Sequence, residues 1–511
     1  MASVDRWLVL SLLVANTLCL SACGLEAASE LSKSILESVE PEPTTFTAVT
    51  YNVENLFDVD GVAIFDSYKQ SAAGDPSGYS RAKLLTKLQN IAQVLVSIDE
   101  GAGPAIVLFQ ELEADFTPES SVQDFDAFLK QYSGTSIEAM LGSEWSEDFA
   151  GYPSSAWLLK ALSDAGMKGY EVVDVPSRGM ETGVAHTNAV YSKFPIVSVA
   201  HHPVLEARDI LVAELNVEGH PLHIYVNHWK SGASNPEREP VRVENAKVLR
   251  GLLDAHLTEN PSADILVVGD LNSHYNHSTL YPDIEVGIND VLGSDGSEDF
   301  SQNDLYNLWF ELAPEARYSE VWRGRRGTLM HKLLTKGLYD EVGISYVDGS
   351  FDKLVIADLN ADAIGRPLRW SDWGLTGGGT SDHFPVVAQF KVGAFEPTGP
   401  LSEGNDAFDQ ELRLDYYECS VQHVTIDGSF LSRVPVAELG PYMGKMYQLK
   451  TKVSNQSPFK IRVGGRDWGT YTHSKDLRER LHTLEVGAQV ELVVTLGAYR
   501  GNEQFVIEWM R

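Results

Sequence analysis

Four segments of the chain are continuously apolar, and each meets a polar side chain at its end. The segments and their end residues are FTAVTYN with Asn52, AIVLF with Gln110 and Glu111, HIYVN with His228, and ILVVG with Asp270 and Asn272. Strands that are apolar throughout, rather than at alternate positions, are buried on both faces. This pattern predicts sheets packed face to face with helices on the outside.

A fifth motif, GTSDHFPVV, places Asp382 and His383 directly before another apolar run. A single polar strand end is more often a turn or a cap than a catalytic group. Five such ends predict one cleft in which amide, carboxylate and imidazole groups meet.

Two amphipathic segments precede apolar strands. Residues 81–98 place Leu84, Leu88 and Ile91 on one helical face, and residues 241–257 also have helical periodicity. This alternation of helices and strands indicates an α/β domain.

Length and charge restrict the function classes. The 511-residue chain is long enough for two domains, and its formal net charge is −32. Such a charge argues against broad, nonspecific adhesion to nucleic acid or to anionic membranes. It does not exclude an enzyme that meets phosphates through bound cations, because the metal supplies positive charge locally.

The N-terminal segment resembles an export signal. An apolar run, residues 7–20, follows Arg6 and leads into LSAC, which ends at Cys23. The run is short for a bilayer span and ends in small residues, as secretory signals do. Resemblance to the bacterial lipobox implies a signal peptide at 1–22, lipidation of Cys23 and a flexible tether at 23–45. An uncleaved anchor or a chance cysteine is the alternative.

The protein is therefore expected to be exported and anchored through Cys23 to the bacterial outer membrane or cell surface, with release outside the cell as a variant. The residue after the cysteine is Gly24 rather than Asp. In the usual bacterial sorting pattern this favours the outer membrane. No protein partner is implied.

Composition shifts divide the rest of the chain. They predict a main domain at 46–392, a linker at 393–410 and a second domain at 411–511. The second domain shows three strands, a helix and two strands, which is the order of an OB-fold barrel. It contains 13 Lys and Arg against 12 Asp and Glu, so nearly all of the acidity lies elsewhere.

OB-folds bind single strands through a cationic groove and stacked aromatic side chains. The candidate residues are Tyr447, Phe459, Trp468, Tyr471 and Tyr499, with Lys450, Lys452, Lys460, Arg462 and Arg466. Each of them alone is more typical of a barrel core or a solvated face. The domain as a whole favours nucleic-acid binding.

The residue types at the strand ends suit metal-assisted phosphate chemistry. Mg²⁺ takes oxygen ligands from one or two carboxylates, an amide, water and the substrate phosphate, and Mn²⁺ or Ca²⁺ would accept similar donors. Hydrolysis also needs an aligned water, a base and charge stabilisation, which Asp270, Asn272, His228 and His383 can supply. Zinc is less favoured because HExxH and Cys-rich spacings are absent from the sequence, although the clustered His274 and His277 after Asn272 keep it open.

In this order along the chain, five motifs resemble the endonuclease/exonuclease/phosphatase superfamily: TYNVENLFD, FQELE, VNHWKSG, VVGDLNSH and GTSDHFPVV. The resemblance covers about residues 46–392. It implies the deoxyribonuclease I-like fold, a four-layered α/β sandwich of two packed mixed sheets flanked by helices. The whole chain is then this sandwich plus a small all-β, OB-like barrel.

The resemblance also implies roles for the matched residues. Asn52, Glu111 and Asp382 resemble residues that hold the catalytic metal, and Glu54 resembles an acid that assists them. Lys230, after the third motif, could bind phosphate together with Ser231, although a solvated loop is an equal alternative.

The catalytic roles implied by the resemblance fall on four residues. Asp270 resembles the aspartate that orients or deprotonates the attacking water, and Asn272 the asparagine that places the phosphate. His228 resembles a histidine that contacts the scissile phosphate. His383 resembles the histidine that stabilises developing charge and assists proton transfer.

One position departs from the superfamily pattern. Members commonly carry an aspartate that hydrogen-bonds the last histidine, and the matching segment here, GTLMHKLLTKGLYD, has Met330 instead. A methionine cannot fix an imidazole tautomer. Another carboxylate, such as Asp340 or Asp352, replaces it, or activity is reduced, or the alignment is shifted.

These observations favour an exported Mg²⁺-dependent phosphodiesterase, first of all a nuclease acting on DNA or RNA. A phosphatase or phospholipase-like phosphodiesterase on a small or lipid substrate is the alternative within the fold. A surface-binding lipoprotein with a degenerate site is the alternative from another class, and Met330 is its support.

Overall fold

A computed structural model describes residues 44–69, 78–120, 122–294, 305–322, 324–397 and 424–510. The predicted signal peptide with Cys23, nearly all of the tether and most of the linker lie outside the described residues. None of the described helices has the length and hydropathy needed to cross a membrane.

The described strands and α-helices are numbered in chain order. The strands are β1 (Thr45–Leu56), β2 (Ile106–Glu113), β3 (Glu171–Asp174), β4 (His186–Ser192), β5 (Ile196–His202), β6 (Ile210–Val217), β7 (His220–His228), β8 (Ile265–Asp270), β9 (Tyr306–Asn307), β10 (Glu320–Trp322), β11 (Arg325–Gly327), β12 (Met330–Leu334), β13 (Ile344–Tyr346), β14 (Asp352–Lys353), β15 (Val386–Val392), β16 (Met446–Gln456), β17 (Phe459–Val463), β18 (Arg466–Tyr471), β19 (Gln489–Tyr499) and β20 (Asn502–Met510). The helices are α1 (Arg81–Val96), α2 (Phe125–Gln131), α3 (Ile137–Leu141), α4 (Ser154–Asp164), α5 (Glu239–Glu259), α6 (His277–Leu280), α7 (Ile288–Leu292) and α8 (Lys475–His482).

Two mixed sheets form the larger part of the fold. The first has seven strands in the order β13-β15-β1-β2-β4-β3, with β14 also paired to β15. The second has six strands in the order β5-β6-β7-β8-β12-β9. Only β1 with β2 and β7 with β8 run parallel among the strand pairs of these two sheets that the structure describes.

The sheets pack face to face, and helices cover their outer faces. Ala48 of β1 shares a buried cluster with Leu211 of β6 and Leu266 of β8, so it lies between the sheets. Its neighbour Val49 packs in a different cluster, which contains residues of α1 and α4. On the far side, Val267 of β8 packs in a cluster with residues of α5. The four-layered α/β sandwich is confirmed, and burial on both faces explains the continuously apolar strands.

The two parallel pairs bring the C-terminal ends of four strands, which carry the predicted site residues, to one edge of the fold. Parallel partners end on the same side of a sheet, so the C-terminal ends of β1 and β2 adjoin, as do those of β7 and β8. Gly269 allows β8 to approach β7 closely, because its φ is 134° and an added Cβ would lie 1.9 Å from the carbonyl oxygen of Asn227.

The two long helices match their predicted positions. Helix α1 begins after Ser80, whose side chain accepts a hydrogen bond from the Lys83 amide (3.4 Å), and it buries Leu84, Leu88 and Ile91 as expected. Helix α5 spans Glu239–Glu259, slightly beyond the predicted 241–257.

The C-terminal segment forms a closed barrel in the order β16-β17-β18-β20-β19, with α8 between β18 and β19. The expectation of a small all-β barrel is confirmed. Three of the five aromatic candidates for base stacking are core residues: Tyr447, Phe459 and Trp468 are at most 8% exposed. They fill the small barrel, whereas Tyr471 and Tyr499 are 44% and 59% exposed.

The barrel contacts the segment that leads to the fifth motif. Arg366 forms an ion pair with Asp362 and donates to Glu508 Oε1 (3.2 Å) and Thr495 Oγ1 (3.1 Å) on the barrel. The Leu375 amide donates to the Ala437 carbonyl (2.8 Å) just before the barrel strands. The barrel therefore supports the loop on which Asp382 and His383 lie.

Candidate metal and phosphoester site

An asparagine amide joins the strand ends of the two sheets. Asn52 at the end of β1 donates through Nδ2 to Glu111 Oε1 (3.1 Å) and to Asp270 Oδ2 (3.0 Å). Its Oδ1 accepts the Glu54 amide (3.0 Å). In this orientation Asn52 holds the two carboxylates as a hydrogen-bond donor.

His228 at the end of β7 completes a group of three facing ligands. Its Nε2 lies 3.6 Å from Glu111 Oε1 and 3.6 Å from Asp270 Oδ2. Each of the three residues offers an atom within 4.8 Å of the others. Two carboxylate oxygens and an imidazole nitrogen form a donor set that fits a divalent cation.

Electrostatics keep Glu111 ionised. Burial works against its charged form, but the neighbouring His186, His228 and Arg208 outweigh it and hold the pKa of Glu111 well below its usual value. Burial raises the pKa of Asp270, and the charge of His383 opposes this rise. Asp270 is therefore the more basic of the two carboxylates.

His383 lies on the other side of Asp270. Its Nε2 is 3.7 Å from Asp270 Oδ2 and 3.7 Å from Asp382 Oδ1. Burial opposes its protonation, but the carboxylates of Asp382, Asp270, Glu320 and Glu111 together raise the pKa of His383 to about 9. The fifth motif is fixed to β1 because Ser381 Oγ donates to the Asn52 carbonyl (2.7 Å) and accepts the His383 amide (3.1 Å).

A glutamate that the sequence patterns missed lies beside His383. Glu320 Oε2 is 3.8 Å from His383 Nδ1, and the two residues form an isolated antiparallel bridge. The same oxygen accepts Ser319 Oγ (2.5 Å) and the Leu329 amide (3.2 Å), which fix the carboxylate. Glu320 thus has the place beside the last histidine that the superfamily pattern assigns to an aspartate.

The positions of Met330, Asp340 and Asp352 bear on the alternatives raised in the sequence analysis. Met330 pairs with Asp270 across β12 and β8 and is fully buried between the sheets. Asp352 is exposed and pairs with Lys353, and Asp340 accepts the Val342 amide (2.8 Å). Neither aspartate forms an ion pair with His383 among the described residues. The partner lies ten positions before Met330, on a short hairpin that no pattern in the sequence marks.

The remaining predicted residues occupy different places. The Asn272 amide donates to Asp270 Oδ1 (3.0 Å) and its Nδ2 to the Trp229 carbonyl (3.2 Å), so Asn272 lies beside the carboxylates. Asp382 is 37% exposed and faces Arg369 Nη2 at 3.7 Å rather than joining the facing group. Lys230 pairs with Glu206 at 2.9 Å, and Ser231 is exposed.

Two further charged side chains support the site. Arg369 binds Glu54 through its guanidinium, and the Trp370 amide donates to Glu54 Oε2 (2.7 Å), so Glu54 anchors the segment before the fifth motif. Arg208 donates to His186 Nδ1 (2.7 Å), which leaves the neutral ring to donate from Nε2 to Asn55 Oδ1 (2.8 Å).

Comparison with known proteins supports the family. Residues 164–391 match the model of the Endonuclease/Exonuclease/phosphatase family. The match includes His228, Asp270, Glu320 and His383. It supports a phosphoric ester hydrolase as the enzyme class. A search of curated proteins found no significant match in sequence.

The solved structures found by comparison are distant in sequence. TDP2 from C. elegans is 13% identical, with 72% of this chain and 82% of that chain covered and a TM-score of 0.36. An endonuclease/exonuclease/phosphatase family protein from Bacteroides thetaiotaomicron is 14% identical, with 69% and 97% covered and a TM-score of 0.38. Sphingomyelinase C from Streptomyces griseocarneus is 15% identical, with 68% and 99% covered and a TM-score of 0.37.

Proposed function

We propose that this protein is an exported phosphodiesterase that hydrolyses DNA or RNA with the help of a divalent cation, Mg²⁺ first of all. One observation carries the proposal: Glu111, His228 and Asp270 face one another, and His383 lies 3.7 Å from Asp270 on the other side. Anionic ligands for a cation and a protonated imidazole are what hydrolysis of a phosphodiester requires in one place.

Glu111, Asp270 and His228 would hold the ion. When bound, it would neutralise charge on the phosphate and polarise the phosphoryl oxygen. Asp270 also lies 3.7 Å from His383, which places it to orient a water and accept its proton. Asn272 lies next to Asp270 and can position the phosphate through its amide.

His383 would stabilise the charge that develops on the phosphoryl oxygens. The same carboxylates that raise its pKa keep it cationic at neutral pH, so it can donate a proton from Nε2. Glu320 at Nδ1 would hold the ring in the orientation that this donation needs. A carboxylate 3.8 Å from His383 Nδ1 supports an active enzyme over a degenerate binding protein, because Glu320 would take the role that Met330 cannot supply.

Two features favour a nucleic acid over a small or lipid ester. Trp322 is 54% exposed and lies two residues beyond Glu320 on β10, about 7 Å along the strand, within reach of a base next to the scissile phosphate. On the barrel, Tyr471 and Tyr499 are exposed and lie 5.7 Å and 5.1 Å from the guanidinium carbons of Arg478 and Arg500. Aromatic and guanidinium groups together bind single strands by stacking and charge.

A substrate panel tests the proposal. The purified full-length chain in detergent is assayed with Mg²⁺ and with EDTA on plasmid DNA, single-stranded DNA, RNA, sphingomyelin, inositol phosphates and bis(p-nitrophenyl) phosphate. Asp270→Asn and His383→Ala serve as site variants. We expect Mg²⁺-dependent cleavage of nucleic acid that both variants lose. Cleavage of the lipid or inositol substrates alone would establish the alternative substrate class, and unchanged activity in both variants would remove the site assignment.

We also propose that the protein is exported and lipid-anchored through Cys23. The support is the sequence of an apolar run, small residues and a cysteine described above. Expression in a Gram-negative host with a radiolabelled fatty acid should label the wild type in the outer-membrane fraction and leave Cys23→Ser unlabelled. Labelling of both proteins would contradict the assignment.

A further inference from the structure

A second group of carboxylates lies where the chain leaves β1 and β2. Asp58 and Asp60 follow β1, Glu113 ends β2, and Asp115 follows two residues later. Asp58 and Glu113 are 5% and 4% exposed, whereas Asp60 and Asp115 are partly exposed. These four residues are called the Asp58 cluster below.

Hydrogen bonds join the two loops at this cluster. The Asp58 amide donates to Glu113 Oε2 (2.9 Å), and the Asp60 amide donates to Asp58 Oδ1 (3.0 Å). Thr117 Oγ1 donates to Asp60 Oδ2 (2.9 Å), and the Thr117 amide donates to Asp115 Oδ1 (2.8 Å). Carboxylates from both loops therefore converge, and only amides and one hydroxyl donate to them in these bonds.

One oxygen of the buried Glu113 carboxylate is left unsatisfied. Glu113 Oε2 is used by the Asp58 amide, while Oε1 of the same buried carboxylate has no hydrogen-bond partner. Within the described part of the chain, Asp58, Asp60 and Glu113 form no ion pair with Lys, Arg or His. An unpaired buried carboxylate is costly, so the cluster needs a proton or a cation.

We propose that the Asp58 cluster is a binding site for Ca²⁺, with Glu113 Oε1, Asp58 and Asp60 as the principal ligands. Oxygen donors from two loops suit Ca²⁺, which accepts six to eight ligands in irregular geometry, better than Mg²⁺, which requires a near-ideal octahedron. Gly61, with φ of 81°, turns the loop directly after Asp60. The partly exposed Asp60 gives the ion a route from solvent.

The carboxylates of this cluster and those of the proposed catalytic metal site have different hydrogen-bond partners. The Glu111 oxygens accept hydrogen bonds from Asn52 and from the Asn55 amide, and neither oxygen belongs to the Asp58 cluster. A Ca²⁺ ion at the cluster would join the loops that follow β1 and β2, the strands that carry Asn52 and Glu111. It would therefore stabilise the edge on which the catalytic group is built, without contact with the substrate.

Calorimetric titration of Ca²⁺ into the EDTA-stripped full-length chain tests the proposal. Glu111→Gln is the background, because it weakens the other cation site and is isosteric. The test variant in this background is Asp60→Asn, which is partly exposed and leaves the buried pair intact. The matched control is Asp126→Asn, which removes the same charge from an exposed position in α2.

We expect one Ca²⁺ per chain in the Glu111→Gln background and in the Asp126→Asn control, and at least tenfold weaker binding in Asp60→Asn. Thermal unfolding should show the same pattern, with a rise in Tm of about 3 °C at a hundredfold excess over Kd. Asp58→Asn should abolish the rise if it folds. Equal Ca²⁺ binding by Asp60→Asn and the control, or no binding in the background, would overturn the proposal and leave shared protons as the neutralising groups.

Discussion

Replacing Glu320 with glutamine tests the link between the hairpin β10–β11 and His383. The substitution keeps the shape and an acceptor oxygen for Ser319 Oγ and the Leu329 amide, so we expect folding to be preserved. Burial raises the pKa of Glu320 to about 7, so above this pH the substitution removes a negative charge 3.8 Å from His383 Nδ1. The imidazolium is then less stable and less firmly oriented, so we expect kcat to fall while KM is little changed.

The size of the effect follows from the geometry. Two unit charges 3.8 Å apart interact by about 4 kcal/mol at an effective dielectric constant of 20, which is an upper bound for this pair. The pKa of His383, raised to about 9 from 6.5, corresponds to about 3.4 kcal/mol gained from four carboxylates against the cost of burial. A share of about 1 to 1.5 kcal/mol for Glu320 predicts a loss in kcat of about tenfold.

The assay is steady-state hydrolysis of bis(p-nitrophenyl) phosphate and of single-stranded DNA with Mg²⁺. Asp352→Asn is the matched control, because its carboxylate is 59% exposed and pairs with Lys353. We expect the control to keep full activity. Wild-type kcat in Glu320→Gln, or an equal loss in Asp352→Asn, would refute the assignment of Glu320 as the positioning residue for His383.

Three further predictions concern the substrate, the close approach of two strands and the pH dependence of stability. Trp322→Ala should lower kcat/KM on single-stranded DNA about tenfold and leave bis(p-nitrophenyl) phosphate unaffected, with Trp322→Phe retaining most DNA activity; equal losses on both substrates would argue against base stacking. Gly269→Ala should lower the free energy of unfolding in urea by about 3 kcal/mol or more, because the added Cβ would overlap the Asn227 carbonyl. Gly251→Ala in helix α5 is the control: its Cβ would meet no atom within 4 Å, so it should raise the free energy of unfolding by up to about 1 kcal/mol. Burial raises the pKa of Asp264 to about 7, so the folded protein binds this proton more tightly than the unfolded protein does. The contribution of this proton to the free energy of unfolding is complete below about pH 4 and is lost as the pH rises through 7. Asp264→Asn should remove this pH dependence. A wild-type stability that rises relative to that of the Asp264→Asn variant between these pH values would contradict the last prediction.

The continuously apolar strands determined the architecture of the main domain. A segment such as ILVVG must be covered on both faces, and two parallel pairs then bring the polar ends of β1, β2, β7 and β8 to one edge. The convergence of Asn52, Glu111 and Asp270 could therefore be predicted from local pattern and order along the chain. The catalytic roles of these residues stay predictions until the variants are assayed.

Which aromatic side chains of the barrel are exposed could be decided only from the tertiary structure. Tyr447 and Tyr471 are the same residue type on strands of the same barrel, yet one is 2% and the other 44% exposed. Which face of a strand turns inward depends on barrel closure, so composition could indicate the barrel but not its exposed aromatics.

The sequence by itself thus determined the layered fold, the barrel and the residues that meet at the strand ends, because hydrophobic periodicity and strand order act locally. Only the tertiary structure decided which acid accompanies His383. Glu320 reaches the imidazole through an isolated bridge between segments 63 positions apart, while Met330 at the expected position is turned into the core. Such a contact depends on how the hairpin packs over a motif that is distant in sequence. The residues next to Glu320 show no sequence pattern from which this contact could be predicted.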